Sequence, residues 1–398
     1  LSNIIDSAGR RIVAHTDAAG RILALHLPQA DNTGDTFAAV RYTYDEASNM
    51  TAVADAEGYT AHFAYQAHLL TAKTFRNGLH IHFEYDSLNR CVRTWGDGNV
   101  YNGHFVYAEG HTVLFSEQPD TRREYYHQNG LVTQYINPLG ALHEWHYNAY
   151  GELELTRDPL GNATLYEYDS DGNQTRVTHA DGTRIETRYN EQGQPVQVRD
   201  ANGNIWQWVY NEQGQLRERI TPLGAATTYQ YDGQGQLMQR TNALGYTVNL
   251  HYDAQYNLTS IVTADQQRRT CHYDALGRLT ALTDTAGRVQ RRFYDRLGQL
   301  LELRESDGAI RRFTYNGSGK VVRTTDEQHE VEFTYSLTGQ LAQRQQGTRR
   351  MQFAYDCEGR LLEVLNEKGE TYRFELDVLG QVVAETGFDG LTRQYEYN

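Results

Sequence analysis

Hydrophobic and polar residues alternate over short stretches of this chain, and polar segments containing Gly separate the stretches. In residues 310–315, for example, Phe313 and Tyr315 lie two residues apart with a polar residue between them. Residues spaced by two share one face of a β-strand. A helix would need apolar spacings of three and four, and it would tolerate so many Gly residues poorly. The pattern therefore predicts an all-β chain made of consecutive hairpins.

A repeat of about 21 residues organises these stretches. Each unit contains a Tyr followed by Asp or Asn, and the nine intervals between Tyr126 and Tyr315 are 21 residues each. The clear copies are Tyr44, Tyr85, Tyr147, Tyr168, Tyr189, Tyr210, Tyr231, Tyr252, Tyr273, Tyr294, Tyr315, Tyr355 and Tyr397. Degenerate copies stay in register at Tyr65, Tyr107, Tyr126, Tyr335 and Leu376, which makes eighteen. Such regularity indicates a repeat architecture.

Gly marks two chain reversals in each unit. One Gly follows the Tyr by four residues, and a second lies about ten residues further on. Gly accepts positive φ without steric penalty, and Asp or Asn can cap its own turn. The predicted turn glycines are Gly151, Gly161, Gly172, Gly182, Gly193, Gly203, Gly214, Gly224, Gly235, Gly245, Gly277, Gly287, Gly298 and Gly308. Two turns per unit leave two segments of strand length.

The number of strands constrains the architecture. Eighteen units predict about 36 strands, which at ~4.8 Å per strand would extend roughly 170 Å. Open twisted sheets rarely exceed about ten strands without curling, so we expect a continuous coiling ribbon about 55 Å across. We divide the chain into a divergent repeat with an insertion at 1–39 and one array at 40–398, truncated at both ends. Residues 96–125 are expected to be divergent repeats.

The composition favours a thin sheet over a globular fold with a large hydrophobic core. Only 39% of residues are hydrophobic and the mean hydropathy is −0.70, yet the chain contains 29 Tyr and 12 Phe, too many aromatics for disorder. Apolar runs reach about four residues, too few to span a bilayer, and no signal peptide is recognisable. The net charge of −14 opposes binding to nucleic acid. Of 37 basic residues, 34 are Arg, a cation that stacks on aromatic rings.

Residues typical of catalytic or metal chemistry do not form a complete set. Cys91, Cys271 and Cys357 are single and far apart, which favours reduced thiols over a disulfide framework or metal knuckle. The pairs His80/His82 and His143/His146 lack further ligands. Residues 316–320 resemble a phosphate-binding loop only in part, and the repeat explains their Gly. We therefore predict no catalytic residue, metal or cofactor.

The aromatic residues allow two interpretations. In thirteen copies an aromatic residue precedes the repeat Tyr by two positions, so every such unit places a pair on one face. These pairs would pack the sheet itself as aromatic ladders, which is the favoured interpretation. They would also suit stacking against sugars, and Trp206 and Trp208 are the candidate glycan contacts.

The unit Tyr273-Asp274-Ala275-Leu276-Gly277-Arg278-Leu279-Thr280 resembles the YD repeat of bacterial Rhs proteins, insecticidal toxin complex C components and teneurins. The likeness extends over 40–398. It implies a β-ribbon that spirals into a hollow shell around a C-terminal effector, commonly a toxin. A DPxGL-type autoproteolysis motif of the family has its nearest match at residues 158–162, where we favour an ordinary turn.

From this resemblance we expect a non-enzymatic encapsulation shell of an Rhs-type polymorphic toxin used in bacterial competition. Expected partners are its own C-terminal toxin cargo, the remaining shell repeats, and a type VI secretion spike with its chaperone. The protein would be secreted or translocated from the bacterial cytoplasm, or held at the cell surface. A carbohydrate-binding adhesion protein is the alternative, and a repeat-scaffold enzyme comes third.

Overall fold

The computed structural model describes residues 2–31, 33–117 and 120–397. Asn32 of the predicted insertion and positions 118–119 of the divergent stretch lie outside the described residues, as do both terminal residues. The described chain is all-β apart from one 3₁₀ helix at Asp97–Asn99, and its 38 strands belong to one antiparallel sheet. This confirms the predicted fold class, with two strands more than the repeat count alone predicts.

The strands are β1 (Asn3–Ile5), β2 (Arg11–Thr16), β3 (Ile22–Pro28), β4 (Thr36–Tyr44), β5 (Met50–Asp55), β6 (Thr60–Gln66), β7 (Leu69–Thr74), β8 (His80–Tyr85), β9 (Cys91–Gly96), β10 (Gly103–Ala108), β11 (His111–Glu117), β12 (Asp120–Gln128), β13 (Leu131–Ile136), β14 (Leu142–Tyr147), β15 (Leu153–Arg157), β16 (Ala163–Tyr168), β17 (Gln174–Thr178), β18 (Arg184–Tyr189), β19 (Pro195–Arg199), β20 (Ile205–Tyr210), β21 (Leu216–Ile220), β22 (Ala226–Tyr231), β23 (Leu237–Thr241), β24 (Thr247–Tyr252), β25 (Leu258–Val262), β26 (Arg268–Tyr273), β27 (Leu279–Thr283), β28 (Val289–Tyr294), β29 (Leu300–Arg304), β30 (Ile310–Tyr315), β31 (Val321–Thr325), β32 (Glu330–Tyr335), β33 (Leu341–Gln346), β34 (Arg349–Tyr355), β35 (Leu361–Leu365), β36 (Thr371–Leu376), β37 (Val382–Thr386) and β38 (Thr392–Gln394).

Each strand pairs with its neighbours in sequence, as a chain of hairpins requires. In one repeat, β15 pairs with β16 through Arg157 and Ala163, and β16 pairs with β17 through Tyr168 and Gln174. The second pairing contains a bulge beside the repeat Tyr, and the same shift recurs in most later repeats. A bulge adds local twist to a strand pair. The repeat therefore builds twist into the sheet once per unit.

The sheet buries few side chains completely. Among the described residues, nine hydrophobic side chains are buried, and three of them, Leu79, Ile81 and Val100, form one cluster. In the regular repeats one face is more covered than the other: Tyr166 and Tyr168 are half-buried, whereas Leu165 and Glu167, which alternate with them, are exposed. The repeat aromatics therefore gain most of their burial from neighbouring strands of the same sheet.

The chain divides into two compact units. Unit 1 comprises Leu1–Val106, Leu114–Thr121 and Cys271–Asn398, and unit 2 comprises Tyr107–Val113 and Arg122–Thr270. Unit 1 thus brings together strips of ribbon that are far apart in sequence. The division predicted from the sequence, with a divergent 1–39 and one array at 40–398, stays a prediction.

Candidate functional site

The sheet has two edges of turns, which the repeat defines. We call the turns that follow the repeat Tyr, such as 169–173, the Tyr–Asp edge. We call the turns at the other end of the strands, such as 158–162, the opposite edge. The function of such a ribbon depends on what its faces and its two edges of turns can contact.

The turns of both edges share one hydrogen-bonding scheme. In 169–173, the Gly172 N–H donates to the Asp169 carbonyl at 3.2 Å, and the Asp169 N–H donates to the Asn173 carbonyl at 3.0 Å. The Asp169 carboxylate accepts the backbone N–H groups of Asp171 and Asn173 at 3.0 and 2.9 Å. Gly172 has φ 81°, a left-handed conformation that Gly adopts without steric cost. All fourteen predicted turn glycines have positive φ between 72° and 94°.

These hydrogen bonds favour the charged form of the turn carboxylates. The Asn173 backbone N–H and side-chain amide lower the pKa of Asp169, with burial opposing them. On the opposite edge, the Asn204 side-chain amide is the main cause that lowers the pKa of Asp200. The same direction holds for Asp158, Asp253 and most other turn Asp residues with a resolved shift.

We therefore expect the protein to lose stability in acid. A carboxylate whose pKa is lower in the folded state contributes stability above its unfolded pKa, about 3.9, and loses it as the pH falls towards the folded pKa. Urea midpoints should be constant near neutrality and fall progressively below about pH 4. The double variant Asp169→Asn with Asp200→Asn should flatten this fall, because the Asn side chain does not titrate. Asn already occupies this turn position in other repeats, so the variant is expected to fold. An unchanged acid profile in that variant would contradict the assignment.

The hydroxyl of the repeat Tyr joins the end of its strand to the start of the preceding, neighbouring strand. The Tyr231 hydroxyl donates to the Leu216 carbonyl at 2.9 Å, fifteen residues earlier, at the start of β21. The same bond joins Tyr168 to Leu153 and Tyr294 to Leu279. Burial raises the pKa of the Tyr231 phenol, which agrees with its enclosed position. Further examples are Tyr44, Tyr85, Tyr189, Tyr210, Tyr252, Tyr315, Tyr335, Tyr355 and Tyr397.

Removal of one such hydroxyl should have a measurable cost. Tyr231→Phe leaves the ring in place and the Leu216 carbonyl without this donor, so we expect a loss of about 1 kcal/mol in the free energy of unfolding. Urea denaturation followed by circular dichroism measures it. The matched control is Tyr246→Phe, because that side chain lies in a turn and is 60% exposed. Equal effects of the two substitutions would argue against the structural role of the hydroxyl.

The two edges differ in what covers their glycines. A Cβ at Gly235 on the Tyr–Asp edge would lie 2.9 Å from Nε2 of Gln215, and one at Gly214 would lie 3.3 Å from that of Gln194. These Gln side chains also donate to the Gly carbonyl of the next repeat. On the opposite edge, a Cβ at Gly224 would meet nothing within 4 Å. The Tyr–Asp edge is therefore a polar ladder between repeats, whereas the opposite edge of these repeats is open.

Inside unit 1 the two kinds of edge meet. We call this contact the seam. Arg10 donates through Nη1 to the Leu276 carbonyl at 2.7 Å, across 266 residues of sequence. Asn77 donates through Nδ2 to the Leu337 carbonyl at 2.6 Å, across 260 residues. Arg10 and Asn77 belong to opposite-edge turns, and both carbonyls belong to Tyr–Asp turns.

Aromatic contacts and one cavity complete the seam. The Arg296 guanidinium lies 5.7 Å from the ring centre of Phe37. Gly317 faces the ring of Tyr59, and Arg278 stacks over Tyr294 at 5.2 Å. A cavity of about 500 Å³ remains between the two strips, and both polar and apolar side chains line it, among them Gln29, Tyr59 and Arg296. Two strips of one ribbon thus pack edge to edge through hydrogen bonds to backbone carbonyls and through aromatic contacts.

The candidate glycan residues lie on a half-buried part of the sheet. Trp206 pairs with Val198 and Trp208 with Arg219 across neighbouring strands. The Arg219 guanidinium lies 5.0 Å from the ring centre of Trp206, so one face of that ring is already stacked. Glycan contact by these rings stays a prediction.

Three of the four histidines considered as metal ligands have other contacts. His80 lies 3.0 Å from the Asp97 carboxylate, and His82 stacks on Trp95. His143 lies between the rings of Tyr135 and Trp145. Within the described ranges, no group of three or more His, Cys, Asp or Glu side chains is placed to hold a metal ion. No described helix is long and apolar enough to cross a membrane.

The sequence did not reveal the seam residues. Arg10, Asn77 and Gly317 occupy ordinary turn positions, and nothing in their own repeats marks them as contacts. The contacts span 266 and 260 residues, which falls between twelve and thirteen repeats of 21 residues, so the repeat spacing gives no signal for them. They become visible only once the path of the ribbon is known.

Comparison with solved structures gives relatives of the same fold. The crystal structure of TcdB2-TccC3-TEV matches 95% of this chain and 23% of that chain, with TM-score 0.72 and 16% identity. The Tc holotoxin pore of Photorhabdus luminescens, which carries a TccC3 mutation, matches the same shares with TM-score 0.73 and 17% identity. The crystal structure of TcdB2-TccC3 matches with TM-score 0.71. The chain therefore spans about a quarter of the length of these relatives.

Comparison by sequence identifies the family. No curated protein sequence matches the chain. The family model described as the teneurin YD-shell matches residues 1–123, 123–290 and 291–384, which is nearly the whole chain. This match confirms the resemblance to YD-repeat proteins that the Tyr, Asp and Gly spacing indicates. The chain belongs to the teneurin YD-shell family.

Proposed function

We propose that this chain forms part of the wall of an Rhs-type toxin shell, which sequesters a C-terminal effector until delivery. The observation that carries the proposal is a single antiparallel ribbon of 38 strands with few buried side chains. A sheet of this length that buries so few side chains is suited to enclosing space. The TccC3 structures, which share the fold, belong to toxin complexes, and this agrees with the proposal.

The local chemistry supports a wall that holds its shape without a conventional core. Most turns are capped by an Asp or Asn side chain, and in most repeats the Tyr hydroxyl ties its strand to the preceding strand. The seam of unit 1 gives the edges a way to seal. A largely polar face would also avoid holding an unfolded cargo through strong apolar contacts.

The proposal assigns a structural and non-enzymatic role to the chain. The turn carboxylates are occupied by backbone and side-chain hydrogen bonds, so their chemistry serves the fold. The shell would be secreted or translocated with its cargo in bacterial competition. A type VI spike and a chaperone are the delivery partners that the Rhs resemblance implies, and both are part of the proposal. The array at 40–398 would act as one continuous wall.

Limited proteolysis of the natural gene product tests the proposal. We expect any effector region encoded with these repeats to resist protease while the ribbon is closed. The seam variant Gly317→Trp should expose that region at a protease concentration that leaves Gly233→Trp protected, since the second glycine faces open space. Electron microscopy should show density surrounding an internal volume. Equal cleavage in all three proteins, or a filled particle, would refute the shell.

A further inference from the structure

The opposite edge of unit 2 carries four exposed leucines at the tips of its turns. We call Leu139, Leu160, Leu223 and Leu244 the leucine ridge. Their exposed fractions are 61, 71, 95 and 81%. Each is the third residue of its turn and directly precedes the turn Gly. A leucine at a turn tip buries nothing within its own hairpin, so local folding does not account for the residue type.

The leucines fall into two neighbouring pairs along the edge. Leu139 and Leu160 belong to adjacent repeats, as do Leu223 and Leu244. Adjacent turns of one edge are two strands apart, or about 10 Å. The two turns between the pairs carry Asp181 and Asn202 at the same position. Exposed apolar groups arranged in this way are typical of interaction surfaces rather than of isolated surface leucines.

The seam shows what covers this edge elsewhere in the ribbon. In unit 1, opposite-edge turns contact Tyr–Asp turns of another strip. At that contact Leu276, the third residue of its turn, is half-buried. The cross-strip donors bind the backbone carbonyls of Leu276 and Leu337. A backbone carbonyl is present in every repeat, so any Tyr–Asp turn can accept such a contact.

Each copy of the chain also displays the complementary edge. Leu88 and Tyr150, the third residues of two Tyr–Asp turns, are 69 and 90% exposed. We propose that the leucine ridge of unit 2 is a docking surface for the Tyr–Asp edge of a second copy of this chain. The contact joins two different surfaces, so it is heterologous and leads to open chains or rings of copies rather than to a two-fold symmetric dimer.

Sedimentation velocity of the whole chain tests this proposal. Over a roughly hundredfold range of concentration, the mean mass of the protein should rise beyond that of a dimer. The variant Leu223→Asp with Leu244→Asp should weaken association about tenfold or more, because each docked leucine loses its burial. Asp occupies the same turn position at Asp181 and Asp307, so the variant is expected to fold, and circular dichroism checks this.

The matched control is Asp181→Asn with Asn202→Asp, on the same edge and at the same turn position. It should associate like the unchanged chain. A protein that stays monomeric over the whole range overturns the proposal. So does association that the ridge variant leaves intact, because that would assign the contact to another surface.

Discussion

Replacing Arg278 by Ala is expected to destabilise unit 1 by about 3 kcal/mol, because it leaves a buried carboxylate without its partner. Arg278 Nε lies 2.7 Å from the Asp274 carboxylate, and the two side chains are only 18 and 7% exposed. The guanidinium also donates to the Asp295 carbonyl at 2.6 Å. One side chain therefore connects two Tyr–Asp turns and lines the seam.

The chain contains its own control for this substitution. Arg288 makes the same turn pair with Asp284 at the same 2.7 Å, but there the side chains are 70 and 30% exposed. An exposed pair contributes at most about 1 kcal/mol, so Arg288→Ala should be close to neutral. Urea denaturation gives the overall loss, and hydrogen exchange in 1–40 and 271–300 locates it. Equal losses in both variants would refute the role of burial.

A rescue variant separates charge from shape. Asn211 and Gln215 make the corresponding turn contact without charge, with the Asn211 amide donating to the Gln215 side-chain carbonyl at 2.9 Å. The double change Asp274→Asn with Arg278→Gln copies that pair. It removes the buried carboxylate, so we expect it to recover most of the stability lost in Arg278→Ala. Failure to recover would assign the loss to the contacts of Arg278 with Tyr294 and Asp295.

The local part of this fold could be predicted from the sequence because each turn is specified within five residues. Asp169, Gly172 and Asn173 contain the cap, the left-handed residue and the closing partner of one turn. The strands follow, since two such turns per unit leave segments of fixed length and alternating pattern. The resemblance to YD-repeat proteins was recognised from the same Tyr, Asp and Gly spacing.

The relation between strips could not be predicted, because it depends on residues some 260 positions apart. Asp274–Arg278 and Asp284–Arg288 have the same turn chemistry in sequence, yet only the first lies buried at the seam. The expected aromatic ladders were also incomplete. Tyr166 pairs with Val177, so in a regular repeat an aliphatic strand separates one aromatic pair from the next.

Gly317→Val should open the seam of unit 1 at a cost of about 2–3 kcal/mol, the usual range for overpacking. A Cβ at Gly317 would lie 2.6 and 2.9 Å from ring atoms of Tyr59 and 3.2 Å from the Arg76 carbonyl. Neither neighbour moves easily. Asp55, only 3% exposed, accepts the Tyr59 N–H at 3.0 Å and pairs with Arg76 at 3.2 Å.

Gly233 supplies the comparison that isolates the seam from the turn. It occupies the same position in its repeat, and a Cβ there would meet nothing within 4 Å. Gly233→Val should therefore change stability by less than about 0.5 kcal/mol. Combining Gly317→Val with Tyr59→Ala removes the ring that Val would strike. We expect the double variant to be more stable than the sum of the single losses predicts, whereas additive losses would place the strain elsewhere.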